Sequence, residues 1–106
     1  MNYRKITTII DPYKLAVVEE KLKELCVPGM SVSKVNGYGE SPDFFQSDWT
    51  SAKARIEIFV EQDNAQAVVD GILDTACTGR KGDGVVAVLP VESLYQIRTK
   101  QLVKSG

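Results

Sequence analysis

The sequence predicts an α+β fold in which two helices cover one face of a four-stranded antiparallel sheet. Three observations predict it. Apolar residues alternate in four segments, they recur at three- and four-residue spacing in two others, and the segments run strand, helix, strand, strand, helix, strand. A chain of 106 residues, 43 % hydrophobic and 25 % charged, is long enough for one compact core and too short for two, which predicts a single domain over residues 1–106.

From Tyr3 to Ile10 the chain alternates, with Ile6, Thr8 and Ile10 on one side and Tyr3, Lys5, Thr7 and Ile9 on the other. Asp11 can cap the helix that follows, and Pro12 suits its first position. Leu15, Val18, Leu22 and Leu25 give that helix one apolar stripe, and Pro28-Gly29 ends it. A second strand alternates from Met30 to Val35, and Gly37-Tyr38-Gly39 loosens its far end. Glu40 to Ser51, "ESPDFFQSDWTS", has neither period and reads as a loop; its Phe44, Phe45 and Trp49 form either a private cluster or a contact surface.

Ala54, Ile56, Ile58 and Val60 then alternate with Arg55, Glu57, Phe59 and Glu61 in a third strand. Ala65, Val68, Val69, Ile72, Leu73 and Ala76 mark a second amphipathic helix. Val85 to Val91 is apolar almost throughout, the pattern of a strand covered on both faces. Right-handed crossovers applied to the two strand-helix-strand units give the ferredoxin-like βαββαβ sandwich, with both helices on one face of the sheet. Thr7, Ile9, Phe59 and the Val85 to Val91 run contribute to the uncovered face, which predicts a closed cyclic oligomer.

A formal net charge of −1 argues against a general nucleic-acid binder, which carries a basic footprint for phosphates. The opening Met1-Asn2-Tyr3-Arg4-Lys5 runs directly into the first strand without an apolar leader, and no apolar run approaches bilayer-spanning length, which predicts a cytoplasmic protein. Cys26 and Cys77, in a chain without histidine, make neither a disulfide framework nor a metal box. Each ends a predicted helix, so antiparallel helices place them at opposite ends of the domain, as ordinary buried thiols.

The chemistry concentrates in "TGRKGDG", Thr78 to Gly84, between the second helix and the last strand. Gly79, Gly82 and Gly84 permit positive φ and close approach, so successive N–H groups can converge on an anion, with Arg80 and Lys81 adding charge. The alternative is a tight turn with solvated cations. The segment is not a P-loop, because it lacks the Gly-Lys-Ser/Thr ending and follows a helix. "ARIEIFVE" supplies one aromatic, Phe59, among acids, unlike an RNA-binding sheet. An acyl-phosphate hydrolase on this plan needs its anion cradle after the first strand, where "IIDPYKL" has no glycine. No nucleophile sits beside a base, so no catalytic residue is assigned.

"TGRKGDGVVAVLPVESLYQIRT", Thr78 to Thr99, resembles the PII signal-transduction proteins, in which a TG-x-x-GDG loop leads into a strand ending LPVE and then an IRT segment. "KITTIIDPYKLAVVEEKL", "VPGMSVSKVNGYG" and "AKARIEIFV" are similar to the family's first strand and helix, second strand and third strand. The resemblance implies a homotrimer that binds adenine nucleotides in clefts between subunits and controls a target protein through the loop at residues 40–51. It implies that residues 78–84 form the phosphate-binding loop, with Gly82, Asp83 and Gly84 on phosphate or ribose beside Thr78, Gly79 and Arg80. Ser31, Ser33, Gly37, Tyr38, Gly39, Glu57 and Phe59 are implied to line the adenine and ribose pocket, and Arg98 to reach the phosphates from an adjoining subunit.

Departures from the family pattern shape the functional expectation. Val85 replaces the usual basic residue after GDG, and Gln96 replaces the first arginine of IRIRT. At about 1.5–3 kcal/mol for each charge-assisted hydrogen bond, their loss falls on the γ-phosphate and favours ADP or AMP over ATP. The position of the glutamine that helps 2-oxoglutarate binding in nitrogen-sensing members is Ser41, preceded by Glu40, and no tyrosine stands between Glu40 and Ser51 to receive a nucleotidyl group. The short loop resembles a divergent PII-like branch associated with carboxysome and bicarbonate-transport functions, whose members bind ADP or AMP with bicarbonate. That resemblance implies Lys53 and Arg55 as anion contacts, against the alternative of a solvated strand edge. It also implies a membrane transporter or carboxysome-related protein as target, and no resident metal or cofactor. A nitrogen-regulatory PII protein, an amino-acid-binding regulatory domain and an enzyme acting on a small phosphorylated substrate are the alternatives.

Overall fold

The computed structural model describes residues 2–36 and 52–103. Strand β1 (Tyr3–Ile10) is followed by a 3-10 turn (Pro12–Lys14) and helix α1 (Leu15–Glu24). The Asp11 carboxylate accepts the Tyr13 N–H at 3.0 Å, and Pro12 opens the turn, as their residue types predict. Strands β2 (Ser31–Asn36) and β3 (Ala52–Glu61), helix α2 (Gln62–Ala76) and strand β4 (Gly84–Val91) complete the sandwich. A small hairpin of β5 (Tyr95–Gln96) and β6 (Gln101–Leu102) follows.

The sheet order is β2-β3-β1-β4, antiparallel throughout, the ferredoxin-like arrangement predicted from the sequence. Its register aligns Ile6 with Ile58 and Val88, and Thr8 with Ile56 and Val86, so their side chains share the helix-covered face. Ile6, Ile10, Ile56, Ile58 and Val60 pack there against Val18 and Leu22 of α1 and Val68 and Ile72 of α2. Thr8 is the polar member of this buried row, and its hydroxyl donates to the Val85 carbonyl at 2.8 Å, which removes the cost of burying it. At Gly71 a β-carbon would stand 2.8 Å from Leu25 Cδ1, so the Leu25 side chain packs directly against the bare backbone of α2.

Three expectations need correction. Val85 to Val91 is not covered on both faces: β4 is an edge strand, helices cover one face only, and residues 87–90 are exposed. Both cysteines are exposed rather than buried. Cys26 lies beyond α1 at φ 62, where its N–H bonds to the Lys23 carbonyl and that of Val27 to the Leu22 carbonyl, a left-handed helix stop that turns the residue outward. Cys77 stands in extended conformation at the end of α2, where the chain leaves the core. Leu73 is 51 % exposed, because it sits on the flank of a stripe whose centre is Ala65, Val68, Ile72 and Ala76. The two thiols do lie at opposite ends of the sheet, Cys26 beside Tyr3 and Glu61, and Cys77 beside Ile10 and Gly84.

Candidate functional site

At the Ile10 end of the sheet, α2 gives way to the segment Thr78 to Gly84. Its three glycines all take positive φ: 79° at Gly79, 93° at Gly82 and 107° at Gly84. Gly84 has a second constraint. A β-carbon there would fall 1.8 Å from the Ile9 carbonyl oxygen, so β4 can join β1 in this register only through a glycine. Conformational freedom and close backbone approach, the two properties read from the glycines, are both in use.

Asp83 closes the loop on itself. Its carboxylate accepts the Thr78 N–H at 2.8 Å and the Gly79 N–H at 3.0 Å, together with the Thr78 hydroxyl, while that hydroxyl accepts the Arg80 N–H at 3.2 Å. The hydroxyl and amide donors of Thr78, then the Gly79 amide and the nearby Arg80 charge, hold the Asp83 carboxyl below the usual aspartate range. Three of the loop's amides, those of Thr78, Gly79 and Arg80, are therefore occupied from within, and Asp83 fixes the loop's shape. Arg80 and Lys81 remain exposed on its rim.

Lys53 enters from the start of β3. Only 7 % exposed, it donates from Nζ to the Gly82 carbonyl at 3.2 Å, across 29 residues of sequence. An ammonium buried this deeply ordinarily has a carboxylate partner. Among the described residues no ion pair to Lys53 occurs; its one contact of this kind is a neutral carbonyl. Arg55 lies one pleat further along the same face, half-buried, with its Nε enclosed and without a hydrogen-bond partner.

Further down this open face, the register places Ser31, Glu57, Thr7 and Ala87 in one cross-strand row and Ser33, Arg55, Ile9 and Val85 in the next. A cavity of about 250 Å³ brings Ser31, Glu57 and Phe59 together with Lys5, Gly29 and Met30. Lys5 was not singled out from the sequence; its Nζ pairs with Glu57 at 3.0 Å. Its place opposite the core-facing residues of β1 was the available signal. That Lys5 hydrogen bond, with the charges of Lys5 and Arg55, holds the Glu57 carboxyl below the usual glutamate range.

Arg98 stands apart from all of this. It lies in the turn of the β5–β6 hairpin, whose substantial contacts are within itself. Gln96, where the family pattern has arginine, accepts the Thr99 hydroxyl at 3.0 Å, and its carbonyl accepts the Lys100 N–H at 2.8 Å, so it closes the hairpin. Gly37, Tyr38 and Gly39, and the loop 40–51 with Phe44, Phe45 and Trp49, lie outside the described residues. The ends of that segment, Asn36 and Ala52, pair with each other at the same end of the sheet as the glycine-rich loop. Among the described residues no cluster of Cys, Asp and Glu could hold a metal ion, and no helix is long and apolar enough to cross a membrane.

Fold and site thus define a ferredoxin-like domain that gathers a self-closed glycine-rich loop, a buried lysine and an open, charged sheet face at one end. Residues 3–101 match the family described as nitrogen regulatory protein P-II. The chain is 38 % identical over 102 residues to nitrogen regulatory protein GlnK2 of Haloferax mediterranei, covering 89 % of this chain and 82 % of that protein. It is 35 % identical over 104 residues to nitrogen regulatory protein P-II of Rhizobium meliloti, covering 91 % and 92 %. Its structure is similar to that of Arabidopsis thaliana PII bound to citrate, with TM-score 0.79 and 31 % identity over 96 % of this chain and 86 % of the other. The chain belongs to the P-II family, and is a regulatory protein of that family.

Proposed function

We propose that the chain is a trimeric sensor of adenine nucleotides, taking ADP or AMP in preference to ATP, and that a small anion, bicarbonate, binds beside the nucleotide at Lys53. The observation that carries this reading is the Lys53 ammonium, buried against the Gly82 carbonyl with no ion pair to a carboxylate among the described residues. A buried cation of this kind calls for an anion. Its contact with Gly82 makes the phosphate site and the small-anion site neighbours on one ammonium.

The nucleotide base and ribose occupy the open-face cavity at Ser31, Glu57 and Phe59, and its phosphates extend toward Gly82 and Gly84 past Ser33 and Arg55. Thr7, level with Glu57, is three residues from Ile10, level with Gly84; that is about 10 Å along β1, within reach of an adenosine diphosphate. Arg98 is supplied by a neighbouring subunit. Support for the trimer comes from the open face, where Ile9, Phe59, Val85 and Leu89 have no helix over them, and from the self-contained hairpin, whose Ile97 is 92 % exposed. Half-buried Val85 and the hairpin-closing Gln96 offer no cation to a third phosphate.

Regulation acts through the loop 40–51 on a target protein, with a membrane transporter or carboxysome-related protein of inorganic carbon metabolism as the implied partner. A second reading, a nitrogen regulator, is favoured by the names of the curated relatives. Ligand choice separates the two. Calorimetric titration with ADP, AMP and ATP, each with and without bicarbonate or 2-oxoglutarate, favours the first reading if ADP or AMP binds at least as tightly as ATP and bicarbonate tightens it. Tight ATP binding strengthened by 2-oxoglutarate establishes the nitrogen reading instead. Saturable nucleotide turnover would point to the enzymatic alternative, and response to amino acids alone to the amino-acid-binding one.

A further inference from the structure

The opposite end of the sheet, at Tyr3, carries a cavity of about 290 Å³ that the nucleotide reading does not use. Leu25, Val27, Pro28, Val60 and Val68 supply apolar wall, and the polar groups are Glu61, Asn64, the Cys26 thiol and Tyr3. It shares only Phe59 with the open-face cavity at Glu57. The Ile10 end, where the glycine-rich loop stands, is roughly 23 Å away along the eight residues of β1.

Glu61 gives this cavity its chemistry. It sits at the N-cap position of α2, yet its side chain makes no cap hydrogen bond, and its Oε1 is enclosed without a partner. Buried acceptors are normally paired, and an enclosed carboxylate oxygen more than most. Among the described residues lining the cavity there is one carboxylate, Glu61, and no lysine or arginine. The walls on either side are hydrocarbon. A complementary ligand has a positive hydrogen-bond donor at one end and an apolar body at the other.

We propose that this cavity binds a small primary alkylammonium, its nitrogen donating to Glu61 and its chain lying against Leu25, Val27 and Val68. The volume has room for on the order of ten non-hydrogen atoms, at roughly 30 Å³ each, so an amine of six or seven carbons fits. Asn64, on the first turn of α2, adds a neutral polar partner beside the ammonium.

n-Hexylamine is the probe, titrated against the full-length protein by calorimetry at neutral pH, with 1-hexanol and hexanoate as isosteres. Saturable binding of the amine, at least tenfold tighter than the alcohol and with no detectable hexanoate binding, is expected. Glu61→Gln keeps the shape and removes the charge, and should weaken hexylamine at least tenfold. Equal affinity for amine and alcohol, or an unchanged affinity in the variant, overturns the proposal. Should the variant fail to fold, the wild-type thiols decide: Cys26 lines this cavity and Cys77 the one at the other end. Saturating hexylamine should slow iodoacetamide alkylation of Cys26 at least threefold and leave Cys77 unchanged; equal rates at Cys26 with and without the amine overturn the proposal.

Discussion

The two helix-to-strand connections perform the same architectural task with different chemistry. Residues 25–30 carry the chain from α1 to β2, and residues 77–83 carry it from α2 to β4. The first connection is closed by two backbone bonds, Cys26 N–H to the Lys23 carbonyl and Val27 N–H to the Leu22 carbonyl, both at 3.0 Å, with a long contact of 3.9 Å from the Cys26 thiol to the Glu24 carbonyl. Its Gly29 has open space where a side chain would stand. The second uses two positive-φ glycines, a third at the strand's first residue, an aspartate folded back on the loop and a buried lysine from another strand. Turning the chain needs only what the first connection has. The excess in the second matches the proposed anion site, a self-bonded backbone with charge around it.

The largest expected effect tests how far that rigidity is built into the sheet. Gly84→Ala places a β-carbon against the Ile9 carbonyl at φ 107, and should destabilise the protein by about 3–5 kcal/mol or prevent folding. Gly29→Ala should change stability by no more than about 0.5 kcal/mol. Urea unfolding of both variants makes the comparison; similar midpoints would remove the distinction between the connections.

Arg98→Ala should weaken ADP by about 1.5–3 kcal/mol, roughly ten- to a hundredfold, with the unfolding midpoint of the free protein unchanged. Loss of stability without loss of affinity would make Arg98 a structural residue of the hairpin.

Asp83→Asn should cost about 0.5–2 kcal/mol, as for other side chains that cap backbone N–H groups. The cost has a defined pH dependence. Because the folded-state pKa of Asp83 lies below the ordinary aspartate value of about 3.9, its contribution is full where both folded and unfolded states are ionised. It declines as pH falls below that ordinary value and is gone below the folded one. The stability difference between wild type and variant should therefore be constant from about pH 5 upward and shrink toward pH 3. A difference independent of pH would mean that the charge of Asp83 does not hold the loop.

The smallest effect belongs to the first connection. Cys26 occupies a left-handed position at φ 62 that glycine takes without strain, so Cys26→Gly should raise stability by about 0.5 kcal/mol. A loss would show that its thiol contributes packing that offsets the strained backbone.

What was legible in the sequence follows the same division. Ile6, Thr8 and Ile10 announced their strand because one-sided burial imposes a two-residue period, and Val18 and Leu22 announced their helix through its own period. The glycines of the second connection could be read because positive φ and close approach admit few other residues. Val85 to Val91 misled, because an apolar edge strand has the same composition as a doubly covered one. The β5–β6 pairing passed unseen because two-residue strands carry no period. Two site roles depended on tertiary placement. Asp83 turns back to amides four and five residues earlier, and Lys53 is buried only because β3 brings it to Gly82. Side-chain type announced a possible contact in both cases, and only the fold supplied the partner.

The buried lysine and the glycine-rich loop acting as one anion site is the central claim, and calorimetric titration of ADP against wild type and Lys53→Met, with and without bicarbonate at fixed pH and ionic strength, tests it most directly. ADP should bind the wild type saturably, bicarbonate should tighten it, and Lys53→Met should abolish the bicarbonate effect while weakening ADP about tenfold, the loss of one charge-assisted hydrogen bond. Absence of saturable ADP binding, or an ADP affinity in Lys53→Met equal to the wild type's with and without bicarbonate, would contradict it.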